Sequence, residues 1–77
     1  MEPRTMNHLD RITIEPDKLG GKPCIRGLRI SAQQVLGMLA NGVTEQQILE
    51  DFPDIEHEDI LAVLQWALER ATGKQVG

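Results

Sequence analysis

At Ser31 the hydrophobic pattern of this chain changes period, and that change constrains the fold more than any other feature. Before it, Ile12 and Ile14 alternate with Arg11, Thr13 and Glu15, the period-2 signature of a strand with one buried face. After it, apolar residues recur at helical spacing in three successive segments. The chain has 77 residues, fewer than the ~100–200 of a usual domain, so one small core must serve both parts. A chain this short buries only ~60% of its unfolded surface, so a homodimer is the expected state.

Residues 1–10 are polar, hold one proline and show no periodicity, which predicts a flexible tail ahead of a single domain over residues 11–73. Within it, residues 11–30 form a β element. Pro16 ends the first strand, and Pro16-Asp17 with Gly20-Gly21 mark turns, because proline fixes φ and glycine accepts φ > 0. Cys24-Ile25 and Leu28-Arg29-Ile30, parted around Gly27, read as short extended pieces returning against that strand.

Residues 31–73 read as three helices. Ser31 with Gln34 fits a capping box, Val35, Leu36, Met38 and Leu39 form a stripe, and Asn41-Gly42 supplies a left-handed stop. Thr44 with Gln47 repeats the box ahead of Ile48, Leu49 and Phe52, and Pro53 terminates a short second helix. A third starts at Asp54 or Glu56. Its Ile60, Leu61, Val63, Leu64, Ala67, Leu68 and Ala71 span an arc of roughly 160°, and Gly73 ends it. The predicted fold is mainly α, a three-helix helix-turn-helix unit with a short N-terminal β-hairpin.

The net charge of −4 opposes a general nucleic-acid coat or a polybasic membrane anchor, but it conceals a split. Residues 1–30 carry two more bases than acids; residues 31–77 carry six more acids than bases. One cysteine cannot close an internal disulfide, and no apolar run reaches the ~18 residues of a membrane span, so a cytoplasmic protein is expected.

Catalytic constellations fail one by one, so no enzyme is expected. Cys24 is the only thiol, and His8 and His57 lack the paired spacing that zinc requires, so Cys24 reads as a small apolar residue. Gly20-Gly21-Lys22 resembles a phosphate loop, yet Pro23 stands where a hydroxyl should hold magnesium. The acids Asp54, Glu56, Glu58 and Asp59 fit a first helical turn, where the macrodipole favours them, better than a metal site. No cofactor is implied.

Two features remain. Lys18, Lys22, Arg26 and Arg29 stand within twelve residues, on a glycine-bracketed loop of an otherwise acidic protein. They form either a solvated hairpin or a rigid basic surface that docks on DNA phosphate or an acidic enzyme cleft, with the Arg26 and Arg29 side chains facing solvent. Trp66 sits about 60° outside the apolar arc of the third helix, beside Asp59 and Arg70, so it either packs on the β element or anchors a dimer or partner contact. Base reading by the third helix is disfavoured, because its first turn would bring Glu56, Glu58 and Asp59 to phosphates.

From Arg11 to about Ala71 the chain resembles a bacterial and archaeal family known as domain of unknown function 433. The resemblance rests on Arg11-Ile12-Thr13-Ile14, Gly21-Lys22-Pro23, Ile25-Arg26-Gly27 with Arg29-Ile30, Gly42-Val43-Thr44-Glu45, and Asp51-Phe52-Pro53 before Glu58-Asp59-Ile60. Leu28 stands where the family pattern has a threonine. The resemblance implies a homeodomain-like three-helix fold and an antitoxin-like role beside nucleases of the PIN-like type. On that expectation the chain binds and neutralises a PIN-like ribonuclease and also binds its own operator DNA. Arg26 or Arg29 would then enter the acidic, metal-binding cleft of the nuclease, and Trp66 would add apolar contact. The alternative is a helix-turn-helix transcriptional regulator without a toxin partner.

Overall fold

The computed structural model describes residues 8–75, with side chains up to residue 71. Two strands, β1 (Ile12–Ile14) and β2 (Pro23–Ile25), precede three helices, α1 (Ala32–Ala40), α2 (Glu45–Asp51) and α3 (His57–Gln75). The change of period at Ser31 is therefore the boundary between a small hairpin and a helical unit. The strands pair antiparallel, with Ile12 opposite Ile25, Thr13 opposite Cys24 and Ile14 opposite Pro23. Leu28-Arg29-Ile30 does not return to β1 as expected. It folds back on β2 instead: the Ile25 amide donates to the Ile30 carbonyl at 3.0 Å, and Ser31 bridges Cys24. A turn with positive φ at Arg26 (46°) and Gly27 (72°) brings about that reversal.

The caps read from the sequence form. Ser31 Oγ accepts from the Gln34 amide at 2.9 Å, and Thr44 Oγ1 from the Gln47 amide at 3.1 Å, each satisfying a donor that the helix cannot. Two boundaries differ from expectation. The chain is already structured at His8, whose amide donates to Gln65 Oε1 at 2.7 Å, ahead of a 3-10 turn over Leu9–Arg11 that packs on α3. The rest of the expected tail, residues 1–7, lies outside the described residues. At the other end α3 passes through Gly73 to Gln75, since a glycine in a helix costs only about 1 kcal/mol.

The core gathers Ile25 from β2, Ala32 and Val35 from α1, Ile48 from α2, and Ile55, Ile60 and Val63 at and beyond the entry to α3. Cys24 is buried beside it, as a small apolar residue should be. The apolar arc of α3 is in fact two adjacent stripes. Ile60 and Val63 are fully buried and Trp66 packs on the core, whereas Leu64 and Leu68 remain 44% and 65% exposed. Leu61, Leu64, Leu68 and Ala71 follow one another at three- and four-residue steps, the spacing of a helix-pairing seam. Among the described residues no helix is long and apolar enough to cross a membrane.

Candidate functional site

The basic loop is built on a buried carboxylate. Asp59 lies in the first turn of α3 with no solvent exposure, although its neighbours Glu56 and Glu58 are exposed. Its Oδ2 accepts from the Glu56 amide at 2.8 Å, the return half of a capping box, which places the carboxylate at the helix entry. Arg26 meets it with two nitrogens of one guanidinium edge: Nε lies 3.0 and 3.1 Å from Oδ1 and Oδ2, and Nη2 lies 2.9 Å from Oδ2. Arg11 Nη1 donates to Oδ1 at 2.9 Å and to Glu56 Oε1 at the same distance. Arg26 Nη2 also reaches the Asp54 carbonyl at 2.5 Å.

A charge this deeply buried requires such partners, because an unpaired ion in the interior costs several kcal/mol. Burial alone would push the Asp59 carboxyl up. The hydrogen bonds from Arg26, the Glu56 amide and Arg11 outweigh it and hold the carboxyl below its usual range. Two arginines thus tie the start of β1 and the β2 turn to the start of α3.

This clamp fixes the loop that follows. Arg26 itself adopts φ 46°, and Gly27 lies at 72° with its amide donating to Thr13 Oγ1 at 2.9 Å. The positive φ of Gly27, which side chains rarely adopt, favours glycine, while a Cβ there would stand 3.1 Å from Glu15 Oε2, the movable end of a partly exposed side chain.

The sequence places Lys18, Lys22, Arg26, Arg29 and Trp66 in one functional set; the structure divides them. Arg26 does not simply face solvent: its guanidinium is turned onto Asp59, and its side chain is 34% exposed. Lys18 pairs loosely with Glu15, Nζ to Oε1 at 3.6 Å. Lys22 and Arg29 are exposed, and among the described residues neither forms an ion pair. Trp66 is half-buried, packed on the core with its remaining face beside Pro23 and Leu36, and Arg70 lies over its ring at 5.1 Å.

Arg11 and Asp59 are the residues that sequence reasoning misses as a pair. Asp59 reads as one more acid of a favourable first turn, and nothing in local spacing links it to partners 33 and 48 residues away. At the opposite side of the α2–α3 junction His57 Nδ1 meets Glu45 Oε2, and that hydrogen bond pushes the imidazole pKa up. Among the described residues no group of three or more His, Cys, Asp or Glu side chains could hold a metal ion.

Comparison with known proteins places these residues in a family. The family described as "Protein of unknown function (DUF433)" matches residues 12–67, more than half of the chain, and the chain belongs to it. That span includes β1, the clamp residues Arg26 and Asp59, and Trp66. Arg11 lies immediately before it. An uncharacterised protein of Sinorhizobium fredii, y4eO, is 37% identical over 49 residues, which cover 64% of this chain and 22% of that protein. The matched segment thus spans about a fifth of that relative's length. No solved structure matches the chain.

Proposed function

We propose that this member of the DUF433 family is a non-catalytic antitoxin-type protein that binds and neutralises a PIN-like ribonuclease and works as a homodimer. The observation that carries the reading is the clamp: Asp59 ties the β2 turn to α3 through Arg26, and Lys22 and Arg29 stand exposed on the same basic loop. Preorganised charge binds with less ordering cost than charge on a mobile loop, and an acidic nuclease cleft is its natural complement. Arg26, engaged with Asp59, supports the frame, and Arg29 is the residue offered to the cleft.

The order of the three helices favours a second reading, operator binding, and that remains the alternative function without a toxin. The first turn of α3 speaks against reading bases with this helix, since Glu56 and Glu58 are exposed there. Operator contact would therefore fall to Lys22 and Arg29 of two copies.

Binding to the proposed PIN-like partner nuclease separates these roles. Lys22→Glu with Arg29→Glu is expected to weaken that complex at least ~10-fold, about 1.4 kcal/mol, with unchanged circular dichroism. If operator DNA is the partner, affinity should fall log-linearly with salt, and the slope should shrink by roughly one for each base removed. Undiminished binding of the folded double variant to both partners would remove the loop from the interface.

The dimer is expected to close over the exposed stripe of α3, because the three- and four-residue steps of Leu61, Leu64, Leu68 and Ala71 suit an antiparallel second copy of the same helix. Light scattering should then report twice 8.6 kDa for the wild type. Leu64→Asp with Leu68→Asp should return it to a folded monomer. A wild-type monomer at tens of micromolar, about the range of a weak dimer, would contradict the assembly.

A further inference from the structure

Pro23, Leu36, Trp66 and Ala67 form the floor of an open groove of about 310 Å³ between β2, α1 and α3, with Gln33 on one rim and Arg70 on the other. Gln33 also lines a second depression, which contains Leu19 and Lys22. The chain carries twelve carboxylates and a net charge of −4, yet the lining of both depressions includes two cations and no carboxylate. Among the described residues neither cation is neutralised: Lys22 forms no ion pair, and Arg70 meets only the Trp66 ring. The Trp66 indole N–H likewise makes no hydrogen bond among the described residues.

An apolar floor edged by Arg70, with Lys22 in the neighbouring depression, selects its occupant by chemistry. A basic segment is repelled, and a uniformly apolar one leaves Lys22 and Arg70 without counter-charge. The first seven residues of the chain itself carry Arg4 against Glu2 and so lack the excess of acid that the groove calls for. A half-buried tryptophan whose N–H has no partner among the described residues, flanked by an arginine, also has the composition of an interface anchor.

We propose that this groove receives an acidic amphipathic segment of the partner nuclease, with apolar side chains on Trp66 and Leu36 and carboxylates on Arg70 and Lys22. The proposal rests on the nuclease-binding reading above and adds a second contact, centred on Trp66 and Arg70, that adjoins the basic loop at Lys22. Arg70 is exposed and outside the clamp, so the Arg70→Glu variant is expected to fold, which circular dichroism checks.

Trp66 is the only tryptophan, which makes its emission a direct reporter of the groove. The probe is a synthetic amphipathic helical peptide of leucine and glutamate, compared with the same peptide carrying lysine for glutamate. The glutamate peptide should shift Trp66 emission to shorter wavelength with saturation, and Arg70→Glu or Lys22→Glu should weaken its binding at least ~10-fold. The lysine peptide should leave the emission unchanged. No response to the glutamate peptide, an equal response to both peptides, or affinity unaltered in either folded variant would overturn the proposal. The nuclease itself separates the two levels. If it binds wild type and Arg70→Glu equally, the groove contact fails while the nuclease reading stands. If it ignores the wild-type chain, the reading beneath fails first.

Discussion

Asp59→Ala is expected to lower the unfolding free energy by about 3 kcal/mol or more, the largest loss for any single side chain outside the apolar core. The variant removes the acceptor for Arg26, Arg11 and the Glu56 amide in one step. The two guanidiniums are partly exposed, at 34% and 28%, and recover water when the carboxylate goes, which keeps the loss near the lower end of the ~3–5 kcal/mol usual for a broken buried pair. For 77 residues a total stability of roughly 4–12 kcal/mol is expected, so a large fraction disappears. Urea unfolding should show a lower midpoint with an unchanged slope.

The same carboxylate sets an acid limit. Its folded pKa lies below the usual 3.8, so the unfolded chain takes up the proton first as pH falls. The contribution of Asp59 to stability is complete above the unfolded value and is lost as pH descends through the folded one. Asp59→Ala should therefore unfold with a weaker dependence on pH below about 4 than the wild type. Equal acid sensitivity in the two proteins would place the titrating group elsewhere.

Ile60→Ala should cost about 2–5 kcal/mol, whereas Leu68→Ala should change stability by no more than about 0.5 kcal/mol. Both residues belong to the apolar arc that the sequence predicts for the third helix, yet Ile60 is 1% exposed and Leu68 65%. Ile60 belongs to the buried cluster with Ile25, Val35 and Ile48, which closes only in part over a lost side chain, while Leu68 stands largely in solvent. Thermal melts of the two variants decide the matter. Similar losses would mean that one continuous face of α3 is buried, with no separate exposed stripe.

These two faces show where sequence reasoning reaches and where it stops. Ser31 and Thr44 are legible as caps because the cap and its recipient amide are three residues apart, and local chemistry decides them. The strand of Ile12 and Ile14 is legible by alternation, although Ile14 proves 67% exposed because it stands at the far end of a three-residue strand opposite Pro23. On α3 the apolar residues of two neighbouring stripes merge into a single arc on a helical wheel. The side that faces the core is chosen by tertiary partners. Asp59 marks the hidden side: it lies with Ile60 and Val63 against the core, where a carboxylate is not expected unless its counter-ions are known. Those counter-ions, Arg26 and Arg11, come from the β element. For the same reason Arg26 reads as a surface base of the loop, and Trp66 as lying outside the core-facing arc.

The proposed role has one decisive measurement: cleavage of single-stranded RNA by the proposed PIN-like partner nuclease, followed as the purified chain is added. Neutralisation predicts that cleavage falls with added wild-type protein and stops near equimolar ratio, and that folded Lys22→Glu with Arg29→Glu requires at least ~10-fold more protein for the same effect. Cleavage that continues undiminished at about tenfold excess of the folded wild-type chain would contradict it.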